Sequence, residues 1–290
     1  MELQQLRYVL AVAETGGFTR AAERCFVVQS SLSHQIASLE RELGVRLFAR
    51  TSRRVELTAA GEAFLPAARQ CLDAAERAGA DAAAAVGEVR GRFAVGVIPA
   101  TTGVDLPEAL QRFRARHPRV RIALRVGASD ELAAQVREGG LDLAVLGLPE
   151  TDRPRGVRAH ELVRERLVAV VATGHPLAGR TAVDLECLAE ETFVDFPART
   201  PGRAQSDRAF AAAGLVRDVA FEVPTADLVA RIVGRGLAVA LLPAAFARDR
   251  DGLATMPVVD GPGRVEFVVW SDFNPTPATR AFLDVLEIPH

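Results

Sequence analysis

The residues best suited to chemistry lie between positions 19 and 54, and the chemistry they suit is hydrogen bonding. Gln29, Ser30, Ser31, Ser33 and His34 crowd the stretch "QSSLSHQ", and Arg50, Arg53 and Arg54 follow in "ARTSRR". None of these side chains needs to make or break a bond. Glutamine can pair with adenine, serine donates or accepts, and small residues let a helix approach base edges closely. Arginines a short distance downstream suit phosphates. Between Glu42 and Glu56 there are four arginines and no acid, a local basic patch of the kind a phosphate backbone attracts.

The neighbouring apolar residues show what would position these groups. Leu6, Val9, Leu10 and Ala13 give helical spacing over Leu3 to Glu14, and Gly16-Gly17 stops it. Thr19 then reads as the N-cap of a second helix, "RAAERCF", whose Ala21 and Ala22 permit a close crossing. Leu32, Ile36, Leu39 and Leu43 recur at steps of four, three and four, so one face of a third helix should be buried. Gln29, Ser30, Ser33, His34 and Ala37 fall on the other face. Two helices around a tight turn predict a helix-turn-helix with residues 28–42 as the recognition helix. Thr19 and Arg20, opening the helix before it, join the candidate DNA contacts. The helix alone is equally compatible with an ordinary solvated face; the arginines favour DNA. Leu47 and Phe48 should pack inward, Thr51-Ser52 should turn, and "RRVEL" should form a short strand. That makes a β-wing with Arg53 and Arg54 at its tip, within reach of phosphates or the minor groove.

From Thr58 to about Val86 the pattern is helical and rich in alanine. Phe64, Ala68, Cys71, Ala75, Ala78, Ala82 and Ala85 step by four and three, a heptad seam of small residues. It reads as a linker helix that pairs two protomers, with Cys71 as a small buried residue; a helix packed on its own protein is the alternative. Beyond "GEVRG" strands and helices alternate. "RFAVGVIPA", "VRIALRVG" and "LDLAVLG" are strands separated by helices, which predicts a parallel sheet. A second set begins with "ERLVAVVATGHPLAG" and continues through "VDLECLAEETFVDF", "GRAQSDRAFAAAG", "VAFEV", "TADLVARIVGRG" and "LAVALLP". "RVEFVVW" and "TPATRAFLDVLE" close the chain. The α/β pattern gives two lobes, with crossings near Gly147 and near residues 261–266.

Composition removes several function classes. The 290 residues, 49% hydrophobic, suit about two domains. No apolar run approaches the roughly 20 residues that span a bilayer, and "MELQQLRYVL" carries no basic leader. Three separated cysteines form no CxxC. A cytoplasmic protein with no membrane partner is expected. All 35 basic residues are arginine, so neither a P-loop lysine nor a Schiff-base lysine is available. There is no GxSxG and no HExxH, and the five histidines are scattered. "GRGLAVA" precedes a strand, the wrong order for a dinucleotide site. No catalytic residue, metal site or cofactor is expected, and the chain does not read as an enzyme. Net charge is −2 overall, but residues 1–58 hold eight arginines against six acids.

Taken together, the stretch "LQQLRYVLAVAETGGFTRAAERCFVVQSSLSHQIASLERELGVRLFARTSRRVELTAAGEAFLP" resembles the N-terminal signature of the LysR-type transcriptional regulators. "LDLAVLG", "LVAVVATGHPLAG" and "GRGLAVALLP" resemble that family's effector domain. The resemblance implies a winged helix-turn-helix over residues 1–58, a linker helix over 59–88 and a two-lobed, periplasmic-binding-protein-like effector domain over 89–290. Lobe I would take residues 89–147 and 267–290, and lobe II residues 148–266. It also implies a homodimer, paired again into a tetramer, on double-stranded promoter DNA, with a small-molecule effector and contact with RNA polymerase. This sequence departs from the family at the recognition helix. Val28, Gln29 and Ser30 stand where serine, glutamine and proline are common, which removes a hydroxyl N-cap worth about 1 kcal/mol. His34 stands where arginine is frequent.

In such lobes ligands gather at strand ends near helix N-termini. Thr101 and Thr102 follow the first strand and Ala128 and Ser129 the second; Leu148 ends the third. Phe196, Arg199 and Thr200 lie in "FPARTP", and Thr225 in "VPT". Hydroxyls at helix N-termini favour an anion, with Arg199 as charged partner. Each residue is equally readable as a plain cap or loop hydroxyl. A redox-responsive regulator relying on Cys187 alone, and a regulator without an effector, are the other readings.

Overall fold

Apolar side chains at helical spacing, closed off by glycine, build the N-terminal unit. Helix α1 (Leu3–Thr15) ends at Gly16, whose φ of 64° lets its N–H close on Val12 O at 2.9 Å. Helix α2 (Phe18–Arg24) and helix α3 (Gln29–Leu43) follow, and α3 ends at Gly44 with φ 72°. Leu32, Ile36 and Leu39 of α3 are fully buried against Val9, Val12 and Ala21. Leu43, expected on this face, is exposed in the last turn. The N-cap of α2 is Gly17 rather than Thr19. The helix opens earlier because Phe18 is buried, its ring edge-on to Phe48 at 5.8 Å.

The computed structural model describes residues 1–50, 55–248, 250–273 and 275–290. Within them, β1 (Phe48–Arg50) pairs antiparallel with β2 (Val55–Leu57), Phe48 opposite Leu57. Glu40 on α3 accepts from the N–H groups of Leu47 (2.8 Å) and Phe48 (3.2 Å), so the recognition helix holds the base of the wing. Arg53, Arg54 and the side chain of Arg50 lie outside the described residues. Helix α4 (Ala59–Ala84) is capped by Thr58, whose hydroxyl accepts from Gly61 N at 3.1 Å and donates to Arg46 O at 2.6 Å. Leu65 of α4 joins the core of the first three helices. Along the expected seam, Cys71, Ala78, Ala82 and Ala85 are exposed in the single chain, so Cys71 is not buried here.

The chain divides at Gly87/Glu88, and the second unit is α/β. Its elements in order are β3 (Gly91–Val97), α5 (Leu106–Arg116), β4 (Val120–Val126), α6 (Ser129–Arg137), β5 (Leu143–Pro149) and β6 (Arg158–Ala172). Then come α7 (Leu185–Ala189), β7 (Thr192–Asp195), α8 (Pro201–Ala212), β8 (Asp218–Glu222) and α9 (Ala226–Gly234). β9 (Ala240–Pro243), α10 (Ala244–Ala247), β10 (Leu253–Pro257), β11 (Gly263–Trp270) and α11 (Pro277–Val285) complete it. Strands β4, β3 and β5 run parallel, as the alternation predicts. The sheet order is β10-β6-β11-β5-β3-β4, with β9 also on β6.

The lobes are joined by β6, which has 15 residues. Up to Arg166 it pairs with β11; from Leu167 onward it pairs with β9 and β10. The first crossing therefore falls at Arg166/Leu167, not near Gly147. The first half of β6, "RAHELVRER", is largely solvated and rich in charge, which hides it as a strand. The return crossing, at Gly261–Gly263, lies where it was expected, beside β11. Phe93, Phe113 and Phe282, with ring centroids 5.1–5.3 Å apart, centre the core of the first lobe. Phe193 and Phe210 centre the second, with the Arg217 guanidinium 5.0 and 5.3 Å from their rings. The small residues of "PAAFA" and the single apolar turn of "LATMP" left α10 and β10 unforeseen.

Candidate DNA-reading face and ligand cleft

On α3 the apolar spacing that buries Leu32, Ile36 and Leu39 turns Gln29, Ser30, Ser31 and His34 to solvent, with Ser33 half-buried. Val28 is the N-cap and supplies no side-chain hydrogen bond; its carbonyl takes Ser31 N at 3.1 Å. Thr19 is exposed in the first turn of α2. Arg20 is exposed too, but its Nε donates to Thr15 O at 2.8 Å and so helps close the end of α1. Sequence reasoning missed two apolar neighbours of this face. Phe26 is 95% exposed with φ 55°, and Val28 is 71% exposed. A left-handed phenylalanine is uncommon. Its signal was an aromatic in the turn between two short helices, where the core has no room.

The second unit contains a cleft of about 520 Å³ between its lobes. Ala128, Ser129, Phe196, Thr200 and Thr225 line it, as expected. Thr101, Thr102, Leu148 and Arg199 do not. Helix α5 begins only at Leu106, capped by Asp105, so Thr101 and Thr102 stand at no helix N-terminus. Thr101 donates to Ile98 O at 3.3 Å, and Thr102 faces Glu165 and Glu266. Leu148 packs into the core of the first lobe, and Arg199 is exposed. Even Ser129 is committed: its Oγ donates to Gly147 O and accepts from Gly147 N, both at 3.0 Å.

The cleft's charged wall was missed. Arg264 on β11 lines it while only 5% exposed. Its Nη2 donates to Ala100 O at 2.8 Å, lies 3.1 Å from Glu165 and bonds Glu266. Glu266 is fully buried and accepts from Thr102 N (2.9 Å) and Gly103 N (3.0 Å). Burial pulls the Arg264 pKa down to about 10, against the opposing pull of Glu165. Gln205, 5% exposed, also lines the cleft and makes no hydrogen bond within the described residues. A signal for the first pair existed: Arg264 and Glu266 stand two apart on an otherwise apolar strand, hence on one face.

The first turns of α6, α8 and α9 all open on the cleft, and helix N-termini carry partial positive charge. Thr200 and Thr225 cap α8 and α9, accepting from Arg203 N and Leu228 N at 3.4 Å each. Beside Phe196, Asp195 is pushed up by burial although Arg217 at 2.7 Å pulls the other way. This ion pair fixes the end of β7 beneath the cleft wall. Cys187 lies elsewhere, half-buried near Arg180 at 3.5 Å.

A winged helix-turn-helix with a polar face on its third helix, in one chain with a two-lobed domain around a cleft, defines a ligand-responsive DNA-binding regulator. Residues 3–62 match the bacterial regulatory helix-turn-helix proteins of the lysR family, and residues 87–287 match the LysR substrate binding domain. The chain belongs to the LysR family of transcriptional regulators. It is 36% identical to the Escherichia coli HTH-type transcriptional regulator YnfL, over 97% of this chain and 96% of the relative. It is 34% identical to the Hca operon transcriptional activator HcaR of Escherichia coli, over 99% and 97%. Among solved structures, full-length CbnR complexed with its target DNA aligns with a TM-score of 0.74 at 28% identity, covering 99% of each chain.

Proposed function

We propose that Gln29, Ser30, Ser31, Ser33 and His34 read base edges and phosphates of double-stranded promoter DNA, with Thr19, Arg20, Arg50, Arg53 and Arg54 holding the backbone. The observation that carries this is the split of α3 into a fully buried apolar face and an exposed polar one. Phe26 and Val28 supply apolar contacts at its edge, of the kind a thymine methyl accepts. Two copies pair through the small exposed residues of α4 and read two half-sites; paired dimers give a tetramer that contacts RNA polymerase in the cytoplasm. The effector occupies the cleft lined by Ala128, Ser129, Phe196, Thr200 and Thr225. It acts by binding and not by catalysis, and it must favour one arrangement of the protein over another to change transcription. No described helix is long and apolar enough to cross a membrane.

The test is fluorescence anisotropy on DNA from upstream of the protein's own gene and its divergent neighbour, against random duplex. Gln29→Ala is expected to lose about 1–3 kcal/mol of discrimination while its melting temperature stays unchanged. Equal loss on specific and random DNA would remove Gln29 from base reading.

A further inference from the structure

We propose that the effector is an organic carboxylate whose acid group pairs with Nε and Nη1 of Arg264, taking the place of Glu165 at that guanidinium. The proposal rests on the cleft being the effector site. A guanidinium carries five N–H donors. Here the hydrogen bonds within the protein run through Nη2 alone, and the buried Nε has no partner. Gln205, equally buried, is also left without one. Buried polar groups are otherwise satisfied as a rule, so two orphans on one cleft point to a polar ligand group between them. Its sign follows from Arg264 and from the three helix N-termini that open there. The remaining wall, with Ile98, Phe196, Pro197 and Pro224, suits an apolar body.

Two carboxylates already face Arg264, and they are held unequally. Glu266 is fully buried and fixed by two backbone N–H groups. Glu165 depends on Arg264 and on the Thr102 hydroxyl, at 2.8 Å. That hydroxyl has one proton, and Glu266 competes for it at 2.9 Å. The Glu165 side chain is 18% exposed and can turn to water. A ligand carboxylate therefore releases Glu165 and leaves Glu266 in place. Glu165 lies on β6 and Arg264 on β11, the two strands by which the chain passes between lobes. Their contact is a tie across the crossover, and the ligand loosens it.

The experiment uses full-length protein and the fluorescence of Trp270, the chain's single tryptophan, which sits on β11. The probes are matched acid and amide pairs: benzoate with benzamide, and 2-naphthoate with 2-naphthamide. Wild type is expected to bind the acids at least tenfold more tightly than the amides. Glu165→Gln should tighten the acids several-fold and leave the amides within twofold. Arg264→Met combined with Glu266→Gln, which avoids stranding a buried carboxylate, should abolish the preference; thermal melts confirm folding. No acid preference in wild type overturns the proposal, and so does a preference that survives the double variant. Ala128→Trp fills the cleft and separates the two readings. If it abolishes binding while the double variant keeps the preference, the cleft stands and Arg264 falls. If acids still bind Ala128→Trp, the cleft itself is not the effector site.

Discussion

The reading face of α3 and the ligand cleft are both built from short polar side chains, yet they use them in opposite ways. On α3, Gln29, Ser30, Ser31 and His34 point to solvent while the packing is done by Leu32, Ile36 and Leu39. In the cleft, the hydroxyls of Ser129 and Thr102 are tied to Gly147, Glu165 and Glu266, and the uncommitted polar groups are Arg264 and Gln205. A helix surface separates folding from function by side. A cleft assembled from strand ends must satisfy its own backbone first. Substitutions on the two sites should therefore differ in how far stability and binding can be changed separately.

The largest effect is expected from the buried side of α3. Ile36→Ala removes a fully buried side chain and should cost about 2–5 kcal/mol. Denaturant unfolding of the N-terminal unit should shift by that amount, and DNA binding should fall only as folded protein is lost. If stability is retained and specificity changes, the division of α3 into two sides is wrong. Ser129→Ala comes next. It leaves Gly147 N and O without their partner in a buried place, which should cost about 1–3 kcal/mol. The cleft serine should thus behave as a structural residue, whereas alanine at Ser30 should leave the melting temperature where it is.

Legibility follows the same divide. The steps from Leu32 to Leu39 expose both the packed and the reading face of α3, because one periodicity sets both. The parallel order of β4, β3 and β5 was readable from the alternation of strand and helix. The cleft was readable only in outline. Ala128, Ser129, Phe196, Thr200 and Thr225 follow from strand ends and caps. Thr101, Thr102, Leu148 and Arg199 fail because a strand end says nothing about which way the next residues turn, nor that Glu266 waits for Thr102 from 164 positions away. Arg264 was invisible for a related reason. Its partner Glu165 belongs to the half of β6 whose charges mask a strand, and long-range charge pairing has no local period.

On the reading face, His34→Arg should add a permanent charge beside the groove without touching the core. If His34 sits over a phosphate, the slope of log affinity against log salt should steepen by about 0.9, the value for one further phosphate contact. Non-specific duplex should gain as much as the operator, because a phosphate contact carries no base information. An unchanged slope removes His34 from the phosphate contacts and moves the helix in the groove.

The smallest effect tests whether folding and reading can be separated at one residue. Val28 caps α3 with extended backbone, φ −72° and ψ 136°, and supplies no side-chain acceptor. That geometry is already the one a serine cap adopts, so Val28→Ser needs no backbone movement. Its hydroxyl can accept from the N–H of Ser30 or Ser31 and should add about 0.5–1 kcal/mol to the N-terminal unit, seen as a modest rise in its unfolding midpoint. Val28 is also an exposed apolar group beside Gln29. If it meets a thymine methyl, the serine should bind operator more weakly even as the protein becomes more stable. A gain in stability with operator affinity unchanged would place Val28 outside the interface and confine base reading to Gln29 and the residues after it.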